Sequence, residues 1–296
     1  MVFRSLLFSP GNHARRVERA LSLDADAVIL DLEDAVAISE KVSTRSIVVE
    51  ALQRPRRCRG YVRVNAMATE FCYGDLVAVV QPGVDGIVLP KVESATDLRA
   101  VDWVVSQLER ERGLMPGSID IIPIIETGKG IVEVFAIAAS GTRVRRLAFG
   151  AGDFTLDMSI TWSRDESELL PYRAAIVAAS RSAGLEPPID TVWVDLKDSD
   201  GCRLSAIRAR GSGFQGKLCI HPDQVPIVNA VFSPSQAEIA EARRIIEAFR
   251  DAEAQGIASI QLDGQFIDYP IVYRAQRVLE AAGRIGMLQA NETGKK

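Results

Sequence analysis

Glu126 closes the apolar run Ile121-Ile122-Pro123-Ile124-Ile125, and Asp153 follows Phe149-Gly150-Ala151-Gly152. Each carboxylate stands directly after a hydrophobic segment, and the glycines beside Asp153 let backbone approach a ligand closely. Burying a bare carboxylate is expensive and several together repel, so a cation must sit among them or some must stay protonated. A divalent metal is the simplest answer. Oxygen ligands suit Mg²⁺ or Mn²⁺, which take one or two protein carboxylates and keep waters for a substrate to displace. No zinc set competes, because His13 and His221 are the only histidines. The plainer alternative is that Glu126 caps a helix starting at Thr127 and Asp153 ends a turn.

Other polar residues end apolar runs in the same way: Asp31-Leu32-Glu33-Asp34, Arg63 and Asn65 in Tyr61-Val62-Arg63-Val64-Asn65, Lys91 and Glu93, Asp195, and His221. Arg63 supplies a fixed cation suited to a substrate carboxylate or an enolate oxygen. Its alternative role is to neutralise Asp31 or Glu33, and the two are not exclusive.

These residues need a scaffold that brings strand ends together. Short β-rich runs at residues 5–8, 27–32, 60–64, 86–90, 120–125, 146–149, 192–194 and 217–220 alternate with helical stretches at 12–21, 39–52, 94–112, 130–139, 166–183 and 199–210. Eight such units predict an α/β fold, a (β/α)₈ TIM barrel whose site lies at the C-terminal ends of the strands. An open doubly wound sheet is the runner-up, but Ser9-Pro10-Gly11-Asn12 lacks the glycine spacing of its phosphate turn. Beyond the eighth strand the chain continues with helices near 222–230, 235–255 and 272–285. The expected division is a barrel over residues 1–230 and a C-terminal helical extension over 231–296, ending in a polar, disordered tail at 291–296.

Composition excludes several functions. With 47% hydrophobic and 25% charged residues, the chain is an ordinary globular protein. A net charge of −4 and no long basic run give no electrostatic footprint for nucleic acid. The clusters Arg54 to Arg59 and Arg143 to Arg146 are expected in loops as solvated charge. Cys58, Cys72, Cys202 and Cys219 show no paired spacing, which fits a reducing, cytoplasmic setting. The first ten residues are too short an apolar run for a signal or a membrane span, so the chain is expected to begin directly with a strand.

The segments Arg4-Ser-Leu-Leu-Phe-Ser-Pro-Gly11, Asp31-Leu-Glu-Asp-Ala-Val36, Val62-Arg-Val-Asn65, Leu89-Pro-Lys-Val-Glu93, Ile124-Ile-Glu-Thr127, Phe149-Gly-Ala-Gly-Asp153, Gly216-Lys-Leu-Cys-Ile-His-Pro222 and Asp263-Gly-Gln-Phe-Ile-Asp268 resemble, in this order, the citrate lyase β-subunit-like (HpcH/HpaI aldolase/citrate lyase) family. The resemblance implies a trimeric or hexameric barrel that cleaves or forms a C–C bond in β-hydroxyacyl thioesters of coenzyme A with Mg²⁺, as malyl-CoA and citramalyl-CoA lyases do. It implies Glu126 and Asp153 as metal ligands and Arg63 as the substrate arginine. It further implies Asp268 as an acid/base lent to a neighbouring subunit by the extension.

Related pyruvate aldolases carry a histidine base after the second strand, and none stands in Asp31-Leu-Glu-Asp34. Under this reading Glu33 or Asp34 supports Arg63 or metal waters. Arg4, the Gly11-Asn12 turn, Lys91 and His221 are the candidate contacts for the coenzyme A arm. Competing readings are a citrate lyase β subunit working on a carrier-protein thioester, a thioesterase or malate-synthase-like enzyme, and a non-catalytic binding subunit.

Overall fold

The computed structural model describes residues 3–287. Strands β1 (Ser5–Pro10), β2 (Ala27–Asp31), β3 (Arg59–Arg63), β4 (Gly86–Leu89), β5 (Asp120–Ile125), β6 (Ala148–Phe149), β7 (Ile189–Asp190) and β8 (Gly216–Cys219) run parallel in chain order. β1 also pairs with β8, so the sheet closes into a TIM barrel surrounded by helices.

Strand side chains alternate between the two faces of a sheet. Leu6, Ala27, Ile29, Tyr61, Val88, Ile122, Ile124, Ala148, Ile189 and Leu218 fill the barrel interior. Continuing the inward register two residues past Ile29, Tyr61 and Ile124 arrives at Asp31, Arg63 and Glu126. The pleat that buries the core therefore also aims these three side chains into the mouth.

The seventh strand departs from expectation. It forms at Ile189–Asp190 rather than at 192–194. A fully buried aspartate hides the strand from a hydrophobic reading, because its charge is matched on the outside of the barrel. Arg173 donates to Asp190 at 2.8 and 3.0 Å, and Lys217 on β8 donates at 2.6 Å. Burial works against the charge of Asp190, but Lys217 and Arg173 overcome it and hold the carboxyl below its usual range.

The basic clusters are only partly solvated charge: Arg54, Arg57, Arg59 and Arg145 are exposed, whereas Arg56, Arg143 and Arg146 are drawn into ion pairs. Arg146 is 3% exposed, pairs with Asp120 at 2.6 Å and Glu186 at 2.7 Å, and lies over the Phe3 ring at 4.7 Å, plugging the base of the barrel. Arg143 pairs with Glu109 at 2.6 Å, and Arg56 with Asp85 at 2.5 Å. Two helices absent from the expectation, Cys72–Val79 and Ala151–Asp157, complete the layer. The first helix starts at Ala14, so Asn12 precedes it.

Contacts divide the chain into Phe3–Ala230 and, among the described residues, 231–287. The second unit contains helix Gln236–Glu253, a hairpin of β9 (Ile260–Leu262) and β10 (Gln265–Ile267), and helix Tyr269–Arg284. Both turn residues, Asp263 and Gly264, have positive φ (49° and 83°), the backbone that a two-residue hairpin requires. Ile245, Phe249, Ile267 and Val272 form its core. The first two residues and the polar tail at 291–296 lie outside the described residues. No helix among the described residues is long and apolar enough to cross a membrane.

Asp190→Asn is expected to leave Lys217 buried without its counter-charge and Arg173 with Glu166 alone, and to destabilise the protein by about 3 kcal/mol or more. Denaturant unfolding at pH 7 measures this, and an unchanged midpoint contradicts the assignment. Because the carboxyl is held below its ordinary value, its contribution is present above about pH 4 and is lost as the pH falls, so the two proteins are expected to converge in acid.

Candidate metal and substrate site

Asp31 turns the chain at the end of β2. Its carboxylate accepts the Glu33 N–H at 2.9 Å and the Ala35 N–H at 3.1 Å, which swings Glu33 into the mouth and leaves Asp34 exposed. Arg63, one strand over and in register with Asp31, donates to both oxygens of that carboxylate at 2.7 and 2.6 Å. Its remaining nitrogen lies 2.9 Å from Glu33 Oε2, and the guanidinium lies 4.9 Å from the Phe8 ring centroid. The neutralising role that stood as an alternative for Arg63 is thus realised toward both acids. Burial opposes the Arg63 charge, but Asp31 and Glu33 raise its pKa further above the ordinary arginine value. Burial pushes the Glu33 carboxyl up despite Arg63 and Lys91.

Glu126 is 2% exposed, and its Oε1 accepts the Lys91 main-chain N–H at 2.8 Å. Burial above all, with help from Glu33 and Asp153 and against Arg63 and Lys91, pushes its carboxyl up to about 8. Gly150 makes room for it, since a Cβ there would stand 2.4 Å from Glu126 Oε2. Glu126 does not cap the following helix; Thr127 does, accepting the Gly130 N–H at 3.0 Å. Asp153 occupies the first turn of helix Ala151–Asp157, an end that favours negative charge. Its side chain is one-third exposed.

These groups line a cavity of about 310 Å³ that includes Phe8, Asp31, Arg63, Glu126, Asp153 and Thr191. Among the described residues no three His, Cys, Asp or Glu side chains gather as a metal cluster. What the mouth offers is two oxygen donors, one of them buried with a strongly raised pKa. That set fits Mg²⁺ or Mn²⁺ completed by water or substrate, and it does not fit zinc.

The remaining expected residues scatter. Lys91 stands beside the acids, with Nζ 2.6 Å from Glu33 Oε1. Gly11 donates its N–H to the Asp31 carbonyl at 3.0 Å, and a Cβ there would crowd that oxygen at 2.7 Å. Asn12 donates to Glu40 at 2.7 Å, while its Oδ1 is buried without a partner. His221 is 40% exposed after β8, next to β1, with Nδ1 accepting the Asp223 N–H at 3.3 Å. Arg4 precedes β1 at the opposite end of the barrel, paired with Asp26 at 2.7 Å. Asp268 belongs to the second unit, where its carboxylate accepts the Ile271 N–H at 3.4 Å as the N-cap of helix Tyr269–Arg284.

Two supporting residues escaped the sequence reading. Lys41 is buried, and its ammonium donates to the carbonyls of Leu32 (3.0 Å) and Glu33 (2.6 Å) and to Asn65 Oδ1 (2.6 Å), fixing the acidic turn from behind. Thr191 Oγ1 accepts the Ala151 N–H at 2.8 Å and anchors the start of the Asp153 helix. Nothing local marks either one, because Lys41 works across the turn that separates it from Leu32 and Glu33 and Thr191 acts forty residues away.

A sequence model of the HpcH/HpaI aldolase/citrate lyase family matches residues 4–222. The citrate lyase subunit beta of Haemophilus influenzae is 38% identical over 94% of this chain and 96% of its own length. The L-malyl-CoA/beta-methylmalyl-CoA lyase of Rhodobacter capsulatus is 35% identical over 94% of each chain. The crystal structure of protein CitE from Mycobacterium tuberculosis in complex with magnesium, acetoacetate and coenzyme A aligns with a TM-score of 0.77 at 29% identity, covering 95% of this chain and 98% of that one.

Glu126→Gln is expected to raise the Tm of metal-free protein in chelator at pH 8. The folded carboxyl titrates near 8 and the unfolded one near 4.5, so this group costs nothing below 4.5 and its penalty grows as the pH rises toward 8. The advantage of Gln is therefore expected to grow between pH 5 and 8 and to vanish near pH 4.5. A difference independent of pH sinks this account of Glu126.

Proposed function

The chain belongs to the HpcH/HpaI aldolase/citrate lyase family, and from that premise we propose that it is a Mg²⁺-dependent carbon–carbon lyase acting on a β-hydroxyacyl thioester of coenzyme A, such as malyl-CoA or citramalyl-CoA. The products of cleavage are a 2-oxo acid and acetyl-CoA or a homologue. The observation that carries the reading is a buried Glu126 with a raised pKa, sharing a cavity with Asp153 and Arg63.

Glu126 and Asp153 would hold Mg²⁺, or Mn²⁺ in its place. Bound there, the ion supplies Lewis-acid polarisation of substrate oxygens. In cleavage the substrate hydroxyl would give its proton to Asp268 in its acid/base role, its oxygen becomes the new carbonyl, and the pair from the broken C–C bond passes to the carbon beside the thioester. Arg63, fixed by Asp31 and Glu33, is preorganised to stabilise the resulting enolate or the substrate carboxylate without reorganising. Glu33 contributes by holding both Arg63 and Lys91, and Asp34 adds negative charge beside Lys91.

Asp268 would return a proton to the enolate carbon, supplied across a homotrimer or hexamer by residues 231–296 of a neighbouring copy. The coenzyme A arm would leave past the Gly11-Asn12 turn and His221, which follow the adjacent strands β1 and β8. Arg4 precedes β1, at the end of the barrel away from the mouth, and is paired there with Asp26. Buried, unpaired cysteines support a cytoplasmic setting. The second reading, a citrate lyase β subunit on a carrier-protein thioester, is favoured by the Haemophilus influenzae relative.

Purified protein is expected to release acetyl- or propionyl-CoA from malyl-, methylmalyl- or citramalyl-CoA in Mg²⁺ and to stop in chelator. Release of free CoA instead identifies a thioesterase, and inactivity on every free ester with activity on a carrier-bound one identifies the subunit. Glu126→Ala or Asp153→Ala is expected to lower kcat/KM by about a thousandfold or more with the fold intact; full activity in chelator defeats the metal assignment. Asp268→Asn is expected to slow proton exchange at the acetyl-CoA methyl, and an unchanged rate removes Asp268 from the mechanism.

A further inference from the structure

Lys91 has a task that neither metal holding nor enolate stabilisation covers. It directly follows the Pro90 that ends the β4 run, with φ of 51°, left-handed backbone that side chains other than glycine adopt at a cost. That backbone carries the N–H that meets Glu126 Oε1 at 2.8 Å. The ammonium lies 2.6 Å from Glu33 Oε1, 3.5 Å from Asp34 Oδ2 and 3.9 Å from Asp153 Oδ1, so one cation reaches acids on the turn after β2 and on the helix after β6. Arg63 is spent on Asp31 and Glu33, which leaves Lys91 as the cation closest to Asp153 among the ion pairs of the described residues.

We propose that Lys91 is a positioning residue that serves as the internal counter-cation of the carboxylate cluster. Its main chain orients Glu126. Its ammonium draws Glu33 and Asp153 together before a divalent ion arrives, and it weakens the hold on that ion by standing beside it. The inference rests on the reading that Glu126 and Asp153 hold Mg²⁺. Like charges a few ångströms apart repel even in a partly wet site, so deleting the ammonium trades organisation of the metal-free mouth for stronger attraction of the ion.

Calorimetric titration of Mg²⁺ into wild-type protein, Lys91→Met and Lys91→Arg tests this, together with thermal unfolding in chelator. Lys91→Met is expected to bind Mg²⁺ about tenfold more tightly than wild type, after discounting the Coulomb effect for screening, and to have a lower metal-free Tm. Lys91→Arg is expected to restore both. Lys91→Gln repeats the measurement if the Met variant fails to fold. An Mg²⁺ affinity equal to or weaker than wild type in the neutral variants overturns the role of Lys91. Binding that survives in Glu126→Gln/Asp153→Asn, or is absent from wild type and neutral variants alike, overturns the metal pair instead.

Discussion

Arg63 grips Asp31 with two short hydrogen bonds and reaches Glu33 with its third nitrogen. The mouth of the barrel depends on that contact. Four carboxylates, Asp31, Glu33, Glu126 and Asp153, converge on one small space, and without a buried cation they would repel each other apart or take up protons. The pair joins neighbouring strands at matched register, so it also ties the acidic turn after β2 to the wall that carries the cation. Lys41 braces the same turn from behind through the Leu32 and Glu33 carbonyls.

Charge elsewhere in the barrel is nearly spoken for, which makes Glu126 conspicuous. Arg146 is taken by Asp120 and Glu186 at the base. Arg173 and Lys217 are taken by Asp190 outside β7 and β8. Arg63 has Asp31 and Glu33. Glu126 receives a main-chain N–H but no ion pair of its own among the described residues, and burial, with Glu33 and Asp153 nearby, pushes its carboxyl up. A buried acid left in that state, facing a cavity beside a second acid, either keeps its proton or takes a cation from outside, and the proposed metal site is the second case. That physical incompleteness supports the metal-dependent lyase reading more directly than the fold does, since barrels of this kind host many chemistries.

Much of the fold was legible because burial has a period. Seven of the eight strands fall on the apolar runs, and the inward alternation that places Ile29, Tyr61 and Ile124 in the core delivers Asp31, Arg63 and Glu126 two residues later. β7 was misplaced because its charged residue faces helices rather than water, and nothing within Ile189–Asp190 announces Arg173 or Lys217. The arginines at 143 and 146 were misread for the same reason: their partners lie tens of residues away.

The candidate site divides along the same line. By itself the sequence determined which residues end the strands, hence that Glu126, Asp153, Arg63 and the Asp31 turn belong to the mouth, because strand period and apolar burial are properties of a few consecutive residues. Only the tertiary structure decided who faces whom. It set Lys91 among the acids rather than leaving it free for a phosphate, tied Arg4 to Asp26 at the far end, and used Thr191 to anchor the Asp153 helix. Electrostatic partnership is fixed by distance in space, and barrel closure sets that distance between residues the chain keeps far apart.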